Sequence, residues 1–315
     1  MDIRQRALPP NVAVGTRAAT PGGVLRTSPV TLMVVLLLHF CSPTAALNAL
    51  APRDGIALTR DIAYADGPRR TLDVYAPRPA APPLPVLVFF YGGGWTSGAK
   101  EMYRFVGAGL AARGLVVVIP DYRLYPDVRF PAFMDDAAAA VAWTHANAAN
   151  FGGDPHRLFL MGHSAGGQIA TLLALDAGFL RSVGLSPERD VCGVIGLAAP
   201  YDFMPLDDAE ATMIFGPAAD WPRSEPINHV SVQAPPMLLL TGQGDRTIDP
   251  GSTPRFAARL RAAGASALDE EYPDVGHKTL IASFAAPLAF LAPVRQATLG
   301  FVDGHRACAR FDLDQ

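Results

Sequence analysis

A serine at the centre of Gly162-His163-Ser164-Ala165-Gly166 is the residue of this chain best placed to act as a nucleophile. Apolar Leu158 to Met161 run into it, and a small-residue, helix-forming run from Gln168 to Asp176 follows. The stretch Leu158 to Ile169 therefore reads as strand, sharp turn and helix, the setting in which a serine hydroxyl is pushed out of a sheet edge. Glycines two before and two after the serine let strand and helix close together. The same turn aims the Ala165 amide, at the helix start, toward the space in front of the hydroxyl, where it can hold a developing oxyanion.

A serine hydroxyl needs a base, and histidine suits because its neutral form is present near pH 7. His277, in Pro273-Asp274-Val275-Gly276-His277, directly follows the expected last strand. His39 lies in an amino-terminal leader, His163 inside the turn, and His145 and His156 before the serine; His229 precedes the candidate acid and His305 is in the tail. The base in turn needs a carboxylate to set its tautomer and stabilise the imidazolium. Asp245, after Thr241-Gly242-Gln243-Gly244, leads, with Asp202 and Asp249 as alternatives. A second set of oxyanion donors is offered by Gly92-Gly93-Gly94, directly after the apolar run Val86 to Phe90, because glycine amides face a ligand without side-chain obstruction. No cluster of metal ligands is visible, so neither metal nor organic cofactor is implied.

The elements that must position these groups alternate along the chain. Ala57 to Tyr64 and Thr71 to Tyr75, around Asp66-Gly67-Pro68, read as an antiparallel hairpin. Val86 to Phe90, Leu115 to Pro120, the run before Ser164, Val191 to Ala199, Pro236 to Leu240 and Ala267 to Tyr272 read as buried strands. Glu101 to Arg113, Phe133 to Asn150 and Pro254 to Ala263 read as helices between them, with a further helix in the tail. That alternation predicts an α/β fold with a mostly parallel, eight-stranded, doubly wound sheet and helices on both faces. The excursion over residues 203–233 is too short for a lid domain, so no large cap is expected. Trp95, Phe215 and Trp221 are candidates for the rim of an open substrate pocket.

With 315 residues, half of them hydrophobic, 17% charged and a net charge of −3, the chain suits one large domain, and without a basic stripe nucleic acid is excluded as a partner. Residues 1–46 differ. Arg4, Arg6, Arg17 and Arg26 precede the apolar run Val30 to Phe40 and the small residues Ser42 to Ala46, the pattern of a secretory signal. Removal near Ala46 would leave a linker over 47–56 and a catalytic domain over 57–315, in a periplasmic or secreted protein. Met33 is an alternative start, and Cys41 an alternative lipidation site that would hold the protein at a membrane. Cys192 and Cys308 show no framework spacing and read as two unpaired thiols, although an oxidising compartment would permit a bond.

Gly92-Gly93-Gly94-Trp95, Asp121-Tyr122-Arg123-Leu124 with Pro126, Phe130-Pro131-Ala132, the Ser164 turn, Gly242 with Asp245, and Gly276-His277 together resemble the α/β-hydrolases. The likeness, over about Arg60 to Phe290, is to the hormone-sensitive-lipase-like and feruloyl/acetyl-esterase-like carboxylesterases related to isoprenylcysteine methylesterase. The resemblance implies a serine carboxylesterase with the triad Ser164, Asp245 and His277, an oxyanion hole of Gly93, Gly94 and Ala165, and a structural role for Asp121-Tyr122-Arg123. Its partner would be a small-molecule ester, of short acyl or aromatic type. An amidase resembling kynurenine formamidase and a non-catalytic binder on the same fold are the competing readings. The family usually has histidine where this chain has Tyr91, which brings the level of activity into question rather than the reaction class.

Overall fold

The computed structural model describes residues 43–79, 83–204, 209–305 and 308. Residues 1–42 of the expected leader, with Met33 and Cys41, lie outside these residues, and Pro43–Ala46 fall within a helix. Eight strands form one sheet in the order β1-β2-β4-β3-β5-β6-β7-β8, within the unit Ser42–Gln315. β1 (Ile56–Ala63) and β2 (Thr71–Pro77) make the expected antiparallel hairpin, and β2 pairs antiparallel with β4 (Val116–Pro120). β3 (Leu84–Phe90), β4, β5 (Gly153–His163), β6 (Gly193–Leu197), β7 (Met237–Gly242) and β8 (Ala267–Tyr272) are mutually parallel. β3, β4, β6 and β7 are buried along nearly their whole length, as continuous apolar runs require when both faces are covered. The fold is that of the α/β-hydrolases.

The helices relevant to the site are α1 (Pro43–Ala49), α2 (Arg104–Ala111), α3 (Ala132–Asn147), α4 (Ala165–Leu175), α5 (Ala209–Phe215), α6 (Ser252–Ala262), α7 (His277–Ala282) and α8 (Val294–Gly304). Residues 165–174 of α4 are all buried, in keeping with a composition that is mostly apolar, its polar Gln168 and Thr171 being hydrogen-bonded. The helix expected over Glu101 to Arg113 divides into a 3-10 turn, Lys100–Tyr103, and α2. At the start of this turn the Lys100 ammonium is drawn inward to Asp61 at 2.6 Å and Asp73 at 3.3 Å, on the hairpin strands. In the expected linker, Ala51 is buried, and the Asn48 side chain donates to the Glu101 carbonyl and accepts from the Phe105 amide.

The thiols expected to be unpaired are joined. Cys192 and Cys308 form a disulfide across 116 residues of sequence. α8 carries the chain back past the start of β6, bringing Cys308 to Cys192, and both sulfurs lie 3.3 Å from the His156 carbonyl oxygen.

The sheet order places the chemistry. From β3 the chain crosses to β4 on one side and then to β5 on the other, so β3 and β5 are neighbours at a topological switch point, where open α/β sheets form their ligand crevice. Phe90 stands opposite Gly162 in that pairing, so the glycine loop after β3 and the Ser164 turn after β5 emerge side by side.

Candidate active site

Ser164 sits between β5 and α4 with φ 55° and ψ −127°, a left-handed backbone rarely adopted by a residue with a side chain. Its amide donates to the Leu197 carbonyl of β6 at 2.9 Å, and its own carbonyl accepts from Gly167 and Gln168, so the strained turn is held from both sides. The flanking glycine is sterically required: a Cβ on Gly166 would lie 2.1 Å from the Phe90 carbonyl oxygen of β3. Gly92 likewise abuts Ser164, since a Cβ there would lie 2.8 Å from the serine Cβ. Gly93 and Gly94 have φ +139° and +60° in the loop that follows β3, and Ala165 opens α4.

Asp245 and His277, the expected acid and base, meet. His277 Nδ1 lies 2.7 Å from Asp245 Oδ2. The other Asp245 oxygen accepts from the Thr247 and Ile248 amides at 2.8 and 3.0 Å. Burial pushes the Asp245 carboxyl up, but the hydrogen bonds from His277, Ile248 and Thr247 outweigh it and hold the group below the usual carboxylate range. An ionised Asp245 makes His277 Nδ1 the donor and leaves Nε2 bare to take a proton. His277 is the first residue of α7 rather than a loop residue, with Gly276 extended before it. The alternative acids are engaged elsewhere: Arg255 donates from Nε to Asp202 at 2.6 Å and from Nη2 to Asp249 at 2.9 Å.

Tyr91 supports the glycine loop from below. Its hydroxyl accepts from Arg69 Nη2 and donates to Asp121, and its carbonyl accepts from the Tyr122 hydroxyl. Arg69 also donates to the Gly98 carbonyl at 2.7 Å, so one guanidinium joins the entry and exit of the loop. Burial raises the Tyr91 phenol, which stays protonated, and also raises the Asp121 carboxyl. Arg123 and Arg70 converge on buried Asp136, tying the loop after β4 to α3.

The three aromatic candidates separate. Trp95 and Phe215 are turned inward, 8% and 1% exposed, and meet edge to face at 4.8 Å, with Phe203 stacked on Trp95. The Trp95 indole donates to Gln168 Oε1 at 3.2 Å, and Gln168 donates to the Ser224 carbonyl at 2.7 Å, so α4 ties the glycine loop to the excursion. Trp221 is only partly buried and donates to the Gly216 carbonyl. Large apolar side chains beside a packed core bury themselves when space allows, so two of the three form a wall rather than a rim.

Sequence reading missed Arg69, Gln168 and Arg255, whose partners are distant in the chain, and gave His163 no role. His163 ends β5, is buried, and places Nε2 3.2 Å from the His277 carbonyl oxygen. Burial, and then the adjacent His277, pull its pKa down to about 3. No group of three or more His, Cys, Asp or Glu suited to a metal occurs among the described residues.

The BD-FAE family model matches residues 72–260 of the chain. Esterase LipC of Mycobacterium tuberculosis is 32% identical over 237 residues, covering 69% of this chain and 59% of that protein. Isoprenylcysteine alpha-carbonyl methylesterase ICME of Arabidopsis thaliana is 30% identical over 229 residues, covering 66% of this chain and 53% of its own. The chain thus spans little more than half the length of these relatives. A truncated carbohydrate esterase from gut microbiota shares the fold, with a TM-score of 0.71 and 22% identity over 81% of this chain and 99% of that one. Esterase B from Lactobacillus rhamnosis shares it with a TM-score of 0.69 and 21% identity over 87% and 94%.

Proposed function

The chain belongs to the BD-FAE family, and from that premise we propose that it is a serine carboxylesterase acting through an acyl-enzyme. The observation that carries the reading is the 2.7 Å pair of His277 Nδ1 and Asp245 Oδ2 on the same sheet edge as a serine held at positive φ. Ser164 Oγ attacks the ester carbonyl carbon while His277 Nε2 takes its proton, and Asp245 stabilises the imidazolium. The carbonyl oxygen becomes an oxyanion held by the amides of Gly93, Gly94 and Ala165. The C–O bond to the alcohol then breaks as His277 returns the proton to the leaving oxygen. Water, deprotonated by the same histidine, attacks the acyl carbon and releases the acid and Ser164.

The substrate class is a short-chain acyl or aromatic ester. Its support is the inward aromatic wall of Trp95, Phe203 and Phe215, tied to α4 one turn beyond Ser164 through Gln168. The protein is exported to a periplasmic or extracellular space, or held at a membrane through lipidated Cys41. The Cys192–Cys308 bond supports export, because such bonds persist in oxidising compartments.

A fluorophosphonate probe with p-nitrophenyl butyrate tests the reaction. Ser164→Ala abolishes labelling and lowers turnover by on the order of 10⁴-fold or more. Labelling that persists at another residue overturns the assignment, and faster turnover of an arylformamide than of esters moves the enzyme to the amidases.

A further inference from the structure

We propose that His163, the residue before the nucleophile, is a positioning residue that fixes the catalytic base against the nucleophile's strand by donating its Nε2–H to the main-chain oxygen of His277. The inference rests on the carboxylesterase reading and adds a part to it.

The sheet explains why such a part is needed. Acid and base are registered by neighbouring strands: β7 and β8 pair directly, with Gly242 opposite Tyr272. The loops beyond are stitched together by Gln243 N–H to the Tyr272 carbonyl and Gly244 N–H to the Val275 carbonyl. Among the described residues no backbone hydrogen bond joins the Ser164 turn to the segment of His277 in this way. Ser164 leaves β5, and β6 and β7 separate β5 from β8, so at about 4.8 Å per strand the two origins are roughly 14 Å apart. The His163 side chain bridges that gap. It springs from the last residue of β5, and its Nε2 reaches the His277 carbonyl oxygen at 3.2 Å. Its ring lies 4.6 Å from the His277 ring, inclined by 40°.

The tautomer follows from the partners. A carbonyl oxygen only accepts, so the His163 proton is on Nε2 and Nδ1 is bare. Nδ1 is buried without a hydrogen-bond partner among the described residues and faces Gly92, whose Cβ would lie 3.1 Å from it. A second proton would enter a site with no acceptor, beside an imidazole that itself becomes cationic in each turnover. His163 therefore stays neutral and supports the imidazolium without repelling it.

Three variants test the role, with turnover expressed per fluorophosphonate-titrated site so that loss of folded protein does not enter. His163→Gln carries an amide donor where Nε2 stands, His163→Asn carries one too short to reach, and His163→Leu fills the space without a donor. Leu and Asn variants are expected to lose about 10- to 100-fold in kcat with KM little changed, the usual cost of a displaced catalytic group. The Gln variant should stay within a few-fold of the parent. Equal kcat per site in all three, or equal loss in all three, overturns the proposal. If Ser164→Ala leaves parental turnover intact, the carboxylesterase reading itself has failed, a different outcome from a Gln variant that does not rescue.

Discussion

The Tyr91 hydroxyl donates to Asp121 Oδ1 at 2.7 Å, directly before the glycine loop. A phenol raised by burial remains a donor throughout the working pH range, and Arg69 donates to its oxygen at 2.8 Å. The phenol thus links the entry of the glycine loop to Asp121 and Arg69.

Tyr91→Phe keeps the ring between Tyr103 and Tyr122 and removes only this bridge. Leaving a buried Asp121 oxygen and an Arg69 N–H under-satisfied should cost about 1–3 kcal/mol of stability. The glycine loop loses the link at its entry while Arg69 still holds Gly98. Turnover should fall about tenfold through kcat, because a loosened oxyanion donor acts on the transition state. Steady-state kinetics with urea unfolding checks both, and a loss confined to KM would show that the bridge does not reach the glycine loop.

Asp245 is expected to be the triad acid from its place after Gly242-Gln243-Gly244, and the folded chain adds a reason against its rivals. Both rivals are bound to Arg255. Asp245→Asn should cost on the order of 10⁴-fold in turnover, because the amide presents the wrong group to His277 Nδ1. Asp202→Asn should cost little in kcat and some stability. The reverse pattern in kinetics of the two variants would reassign the acid.

How much of this was legible follows from what each feature depends on. The Ser164 turn, the hairpin and the parallel strands were readable because their signals are local: glycine spacing, alternation and continuous apolar runs. Side-chain direction was not. Trp95 and Phe215 are recognisable as bulky groups near the site, but whether they line a rim or pack inward is decided by Gln168 and Phe203, distant in sequence. The burial of Lys100 depends on carboxylates from the hairpin, and the Cys192–Cys308 bond on where α8 returns. His163 carried no signal beyond its place before the serine, since its partner is the backbone of a residue 114 positions away.

His163 also predicts an acid instability. Its folded pKa, about 3, lies below the ordinary value of 6.5, so between these the unfolded chain binds the proton and the folded chain does not. Stability is therefore full above pH 6.5 and declines as pH falls toward 3, by about 2 kcal/mol at pH 5. His277 and Asp245 are the charged or titratable groups acting on it, and Asp245, held low, contributes its own loss only at more acid pH. His163→Gln should lose about 2 kcal/mol less than the parent between pH 7 and 5, measured by urea unfolding. Equal losses would mean that His163 is already protonated in the folded protein.

The disulfide should matter for stability and not for chemistry. The 116 residues it spans include Asp245 and His277, and closing so long a loop in the unfolded chain is worth about 4–5 kcal/mol in the chain-entropy account. His156, beside both sulfurs, is eight residues before Ser164 in β5, about 25 Å from the nucleophile. Replacing both cysteines by alanine should lower the guanidinium midpoint and leave kcat per titrated site unchanged. A free-thiol assay on the oxidised protein should find Cys192 and Cys308 unreactive until reduced.

The aromatic wall makes the last prediction, on acyl length. Trp95 cannot swing away without breaking its bond to Gln168, on the helix that Ser164 begins, and Phe215 stands edge-on against it. An acyl chain growing toward this wall meets packed rings where a tunnel would be needed. Each buried methylene contributes about 0.8 kcal/mol, so a parent that rewarded length would gain roughly fourfold in kcat/KM per carbon. The parent should instead peak at roughly two to six carbons in a p-nitrophenyl ester series, the point where that gain stops. Phe215→Ala removes the ring that backs Trp95 and should shift the peak by about two to four carbons, while costing about 3–5 kcal/mol of stability for the cavity left behind. Phe215→Leu, which keeps most of the packing, should move it less and holds the test open if the alanine variant does not fold. A parental peak at twelve carbons or beyond would show that the chain leaves by another path. An unshifted peak in a folded Phe215→Ala would confine these rings to the core.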